Sequence, residues 1–197
     1  MQQSNCHPFR HGRWLFAHNG YLGGFHAVRR DLMLAIDPER FADVEGSTDT
    51  EVVFHLALPL GLEDGPIEAL ERTVGAIESV ARAHGIPDAV QAPFGVCDGT
   101  TLWAVRYATT AGPRSLFASA DVDTIRRLHP GNERFQPLSA DDRVIVSEPF
   151  SDLPGVWQEI PGATAVTCAA EACSERSRSA RGSLCALSHE GSGRRGP

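Results

Sequence analysis

Trp14-Leu15-Phe16-Ala17-His18-Asn19-Gly20 is an apolar run of strand length that stops at an Asn-Gly pair. The run predicts a buried strand that delivers two hydrogen-bond donors to its end. Asn19 offers a side-chain amide, and Gly20, having no side chain, offers a backbone N–H that a ligand can approach closely. Two such donors side by side are the makings of an oxyanion hole. Asn-Gly after an apolar run is equally the preferred two-residue hairpin turn, and the local sequence leaves both readings open.

Working outward, Asn5-Cys6-His7-Pro8-Phe9 forms a compact turn leading straight into the apolar strand. It lacks the polar fraying usual at the start of a domain and reads as the middle of one. After Gly20, the pair Gly23-Gly24 opens a helix carried by Phe25, Val28, Leu32 and Ile36, which Pro38 ends. Thr48, followed three places on by Glu51, predicts a capping box and a helix running to about Leu60. Asp49, in its first turn, has two readings. It is a helix-start carboxylate favoured by the macrodipole, or an anionic group that binds the ammonium of an amino-acid substrate.

A third helix starts at Asp64-Gly65-Pro66, carries Ile67, Leu70, Val74, Ile77 and Val80 on one stripe, and stops at Gly85. From Val90 the period changes to strands. Val90 to Cys97 and Thr101 to Tyr107 make a hairpin around Asp98-Gly99, with further strands expected at Ser115–Ser119, Val144–Ser147 and Val156–Ile160. This order predicts an α+β fold with antiparallel sheets covered by helices.

The chain has 197 residues, 42% hydrophobic, enough for one full core. A net charge of -7, with basic residues scattered and all arginine, argues against a nucleic-acid surface. Neither a membrane-length apolar run nor a signal-peptide layout occurs, so a soluble, cytoplasmic chain is expected. Cys6, Cys97, Cys168, Cys173 and Cys185 form an odd set without zinc-site spacing, and His7, His11, His18 and His26 lack a second close pair and have their carboxylates remote, so neither a metal nor a cofactor is expected. From Cys168 onward there is no Phe, Trp, Tyr, Ile, Val or Met, and five arginines face three acids. Residues 1–166 are therefore expected to form the folded domain, and 167–197 a disordered tail.

The segments NCHPF (5–9), WLFAHNG (14–20) and GSTDTEVVFHLAL (46–58), in this order and separation, resemble the class II glutamine amidotransferases, whose glutaminase domain is an N-terminal-nucleophile hydrolase. The later CDGTTLWAVRY (97–107) and VIVSEPFSD (144–152) resemble a stand-alone branch that includes the ergothioneine-pathway γ-glutamyl hydrolases. The resemblance spans roughly Asn5 to Val166 and implies an incomplete αββα sandwich. It assigns Asn19 and Gly20 to the oxyanion hole, Asp49 to the substrate's α-amino group, and His7 to a position near the glutamine pocket. The substrate it implies is glutamine or a γ-glutamyl amide, cleaved through a cysteine thioester. The oligomeric state is left open.

The chain departs from that family at its nucleophile. The family's cysteine stands at position two, where this chain has Gln2, and the family's arginine for the substrate carboxylate falls in a segment missing before Asn5. The expectation is an N-terminally truncated domain with its nucleophile missing, inactive by itself. The rival is a binding protein that keeps the pocket without the chemistry.

Overall fold

Successive side chains of a strand face opposite sides of its sheet, so Trp14, Phe16 and His18 point one way and Leu15 and Ala17 the other. The computed structural model describes residues 3–110, 112–119, 122–133, 135–139, 142–150, 155–169, 172–178 and 184–186. In it, the first set is buried under helices, and the second faces a smaller sheet. The chain opens with β1 (Phe9–His11), β2 (Trp14–His18), β3 (Tyr21–Leu22), α1 (Phe25–Leu34), α2 (Asp49–Ala57) and α3 (Pro66–Ala83). There follow β4 (Val90–Cys97), β5 (Leu102–Ala108), β6 (Phe117–Ser119) and α4 (Val122–Leu128). The last elements are β7 (Ile145–Val146), β8 (Trp157–Glu159), β9 (Thr164–Ala169), β10 (Ala172–Arg178) and β11 (Leu184–Ala186).

The large sheet runs β1-β2-β4-β5-β9-β10-β11, with β3 also paired to β4, and the small sheet runs β7-β6-β8. Every pairing described is antiparallel. Helices α1 to α3 cover one face of the large sheet, where Phe16 stacks on Phe54 of α2 at 5.3 Å between ring centroids and meets Phe94 of β4 at 5.6 Å. Each such buried phenylalanine contributes about 1.5–3 kcal/mol by leaving water. The other face meets the small sheet through Ala104, Val166, Leu116 and Ala118. On the outer side of the small sheet, Ile125 of α4 packs with Trp157 and Val144. The layers are thus α-β-β-α, the fold expected, with a thin outer helical layer.

Several expected boundaries shift for local reasons. Helix α2 ends at Ala57 rather than Leu60, because Pro59 has no N–H to continue the ladder. The capping box is only half formed: the Thr48 hydroxyl accepts from Glu51 N at 3.3 Å, but the Glu51 carboxylate turns away to accept from Glu45 N and Gly46 N, both at 2.8 Å. The sheet also continues past the boundary expected at Val166, since β9 crosses it and β10 pairs with β9 and β11. Backbone pairing and the Cys168–Cys173 disulfide hold β10, whose Ser, Glu and Arg side chains carry no apolar alternation to signal a strand. Positions 170–171, 179–183 and 187–197 of the expected tail lie outside the described residues, as does Gln2.

Candidate functional site

The Asn19-Gly20 pair is not a hairpin turn. β2 pairs with β4 through His18↔Phe94, and β3 pairs with the same strand through Tyr21↔Gln91, in one unbroken register. The chain therefore runs straight through Asn19 and Gly20, and Asn19 N still donates to Pro93 O at 3.1 Å. The pair is a break inside one strand line, which turns the amide of Asn19 out toward the small sheet. There Asn19 Nδ2 donates to the Ser147 hydroxyl at 2.5 Å, just past β7. Gly20 is obligatory by close approach: a Cβ there would lie 1.7 Å from Gln91 O and 2.4 Å from His18 Nε2.

Asp49 is the first residue of α2, with Thr48 as its cap. Its Oδ2 accepts from Leu22 N at 2.8 Å and its Oδ1 from Thr50 N at 2.8 Å. The carboxylate is thereby tied to the strand two residues beyond Gly20, with lone pairs left over, since an ionised carboxylate offers about four. A reciprocal pair anchors the opening turn to the same helix start, Ser47 N donating to Asn5 Oδ1 at 2.9 Å and Asn5 Nδ2 to Ser47 Oγ at 3.2 Å. The three quoted motifs thus converge at one place.

A cavity of about 480 Å³ opens between the two sheets, lined among others by His7, Ala17, Asn19, Cys97, Ile145 and Ser147. Asp49 is not among its lining residues; its carboxylate accepts from the Leu22 amide of the adjoining strand line. The structure therefore brings Asn19 and His7 to the cavity, leaves Gly20 next to Asn19 in the chain but outside the lining, and ties Asp49 to Leu22 of the same strand line. Cys6 is exposed in the opening turn, and Cys97 lines the cavity; neither is in a disulfide. Among the described residues, no group of three or more His, Cys, Asp or Glu is arranged to hold a metal.

Two groups were not singled out as site residues by the sequence. Ser147 belongs to the VIVSEPFSD segment, and nothing local shows that it reaches Asn19 across the sheets. His18 was legible in principle, since it falls on the buried parity of Trp14 and Phe16 beside a polar pair.

Burial depresses the pKa of His18 and of His55, the latter despite the nearby Asp43 carboxylate. Both rings stay neutral in the fold at pH 7, while an unfolded histidine protonates near about 6.5. Below that value the unfolded chain binds protons that the folded one refuses, so stability rises with pH across this window and is lost on acidification. The urea midpoint is expected to fall between about pH 7.5 and about pH 5.5. His55→Leu, which removes a buried Nδ1 without a partner among the described residues, should flatten that slope. A wild-type midpoint independent of pH would contradict the assignment.

The chain is 35% identical to a glutamine aminotransferase class-II domain protein from Silicibacter pomeroyi, whose solved structure superposes with a TM-score of 0.74 over 89% of this chain and 72% of that one. The chain belongs to the class II glutamine amidotransferase family. It is 31% identical to the probable glutamine amidotransferase DUG3 of Saccharomyces cerevisiae over 82% of this chain and 51% of the yeast protein, so it spans about half the length of that relative. The glutamine phosphoribosylpyrophosphate amidotransferase of B. subtilis shares the fold at 16% identity, with a TM-score of 0.54 over 85% of this chain and 30% of that one. No family model matches the chain. Among the described residues, no helix is long and apolar enough to cross a membrane.

Proposed function

We propose that this chain carries the oxyanion and substrate-binding half of a class II glutaminase site and binds glutamine or a γ-glutamyl compound without turning it over alone. In this reading, Asn19 Nδ2 and the Gly20 N–H donate to the side-chain carbonyl oxygen of the ligand, and Asp49 accepts from its α-ammonium group. Where a cysteine is supplied, thiolate attack on the amide carbon gives a tetrahedral oxyanion held by those two donors. Collapse expels ammonia or an amine, and water hydrolyses the thioester. The substrate class follows the stand-alone γ-glutamyl hydrolase branch that the CDGTTLWAVRY and VIVSEPFSD segments resemble, and the setting is the cytoplasm. The observation that supports the reading is the unbroken β2–β3 register, in which Asn19-Gly20 is a break in one strand line rather than a hairpin turn.

The test is calorimetric titration with L-glutamine and with glutaramate, which lacks the α-ammonium group. Asp49→Asn keeps an acceptor for Leu22 N and removes the charge. Losing a charged hydrogen bond costs about 1.5–3 kcal/mol, so glutamine should bind at least about tenfold more weakly and glutaramate unchanged. No binding of either ligand or of a γ-glutamyl peptide would overturn the reading.

A further inference from the structure

Beneath the Asn19-Gly20 break lies a buried ring that this reading leaves unused. His18 is 6% exposed and packs on Phe94 at 4.9 Å between ring centroids. Its Nε2 lies 2.8 Å from Gln91 O. A carbonyl oxygen only accepts, so Nε2 carries the ring proton and Nδ1 keeps its lone pair. Nδ1 faces the Thr50 hydroxyl at 3.3 Å, and that hydroxyl stands 3.4 Å from Asp49 Oδ1. One hydroxyl proton thus has two acceptors in reach. On the other side, the place a Gly20 Cβ would occupy is filled by the His18–Gln91 hydrogen bond itself. A single ring touches the supports of both halves of the site.

We propose that neutral His18 is a positioning residue for the Gly20–Asp49 site, its Nε2–H fixing the Gln91 carbonyl under Gly20 and its Nδ1 holding the Thr50 hydroxyl proton away from Asp49. The inference rests on the functional reading above. While His18 is neutral, the Asp49 carboxylate keeps lone pairs for a cationic ligand group. When His18 takes a proton on Nδ1, the Thr50 oxygen must accept from it, and the hydroxyl turns its own proton to Asp49 Oδ1. The carboxylate then has one more donor and a positive charge beside it, and its attraction for an ammonium group falls.

The charged groups facing the ring are Asp49 from α2, His7 from the opening turn and Arg114 from the segment before β6. Asp49 favours the imidazolium, the other two oppose it, and burial outweighs all three to keep the ring neutral. Binding and protonation are therefore linked reciprocally: whatever factor a bound ammonium imposes on the His18 proton, that proton imposes on the ammonium.

The experiment is a pH titration of the whole chain labelled with ¹⁵N-histidine, with and without L-glutamine or glutaramate. The expected result is an Nε2–H tautomer at neutral pH, with a His18 midpoint that saturating L-glutamine lowers and glutaramate leaves in place. Thr50→Val should remove that shift and Thr50→Ser restore it. Over the same range, the glutamine dissociation constant should rise at least about fivefold on acidification while that of glutaramate stays flat. An Nδ1–H tautomer, or an unmoved midpoint in a chain that does bind glutamine, overturns the inference and leaves the functional reading standing. No glutamine binding at any pH overturns both.

Discussion

Gly20→Ala is expected to cost about 3–5 kcal/mol and to leave little folded protein, although it adds one methyl group. The added carbon would meet Gln91 O at 1.7 Å and His18 Nε2 at 2.4 Å. Neither can yield cheaply. The oxygen is backbone of β4, a strand locked between β2 and β5, and the nitrogen is held in place by that same oxygen. Relief requires the strand line to part at its break, losing the Asn19 and Leu22 amide bonds on either side. Gly75→Ala is the matching control. It lies exposed inside α3 with nothing within 4 Å of its Cβ position, so it should stabilise by about 1 kcal/mol. Urea midpoints of the two variants should move in opposite directions, and a Gly20→Ala midpoint within about 0.5 kcal/mol of wild type would contradict the close-approach account.

The contrast between these two glycines also marks what the sequence could convey. Helix α3 was legible because its stripe of Ile67, Leu70, Val74 and Ile77, its Pro66 start and its Gly85 stop all lie within one window. The β4–β5 hairpin was legible for the same reason, through Asp98-Gly99. Asn19-Gly20 was not decided locally, since a turn and a strand break are written alike; the partner that decides it, β4, comes some seventy residues later. Helix α4 escaped notice because Val122, Ile125 and Leu128 make too short a stripe to establish a period. β10 escaped because its pairing is backbone and disulfide, which hydrophobic alternation does not report. At the site, Asn19, Gly20 and Asp49 were read from motif chemistry, whereas the Ser147 and Thr50 contacts depend on sheets and helices meeting in space.

Incubated with L-glutamine, the chain is expected to release ammonia at the background rate, on the order of 10⁶-fold below a glutaminase with a positioned nucleophile. Attack needs a sulfur about 3–3.5 Å from a carbonyl carbon whose oxygen lies between Asn19 Nδ2 and the Gly20 N–H. Cys97 pairs with Leu15, four residues up the strand from Asn19, or roughly 13 Å away at ~3.3 Å per residue. Cys6 sits exposed in the opening turn, its backbone N–H bonded to Gln3 O, and does not itself line the cavity, although His7 and Pro8 after it do. Cys168 and Cys173 are consumed in their disulfide. The measurement is coupled ammonia release by the wild-type chain, Cys6→Ser and Cys97→Ser at matched concentration. All three should coincide with buffer, and glutamine should still bind. Ammonia release that Cys6→Ser abolishes would make that thiol the nucleophile and require the opening turn to fold back over Asn19. Release that both variants retain would locate the chemistry outside Cys6 and Cys97, and either result would end the reading of this chain as a binding half without the attacking group.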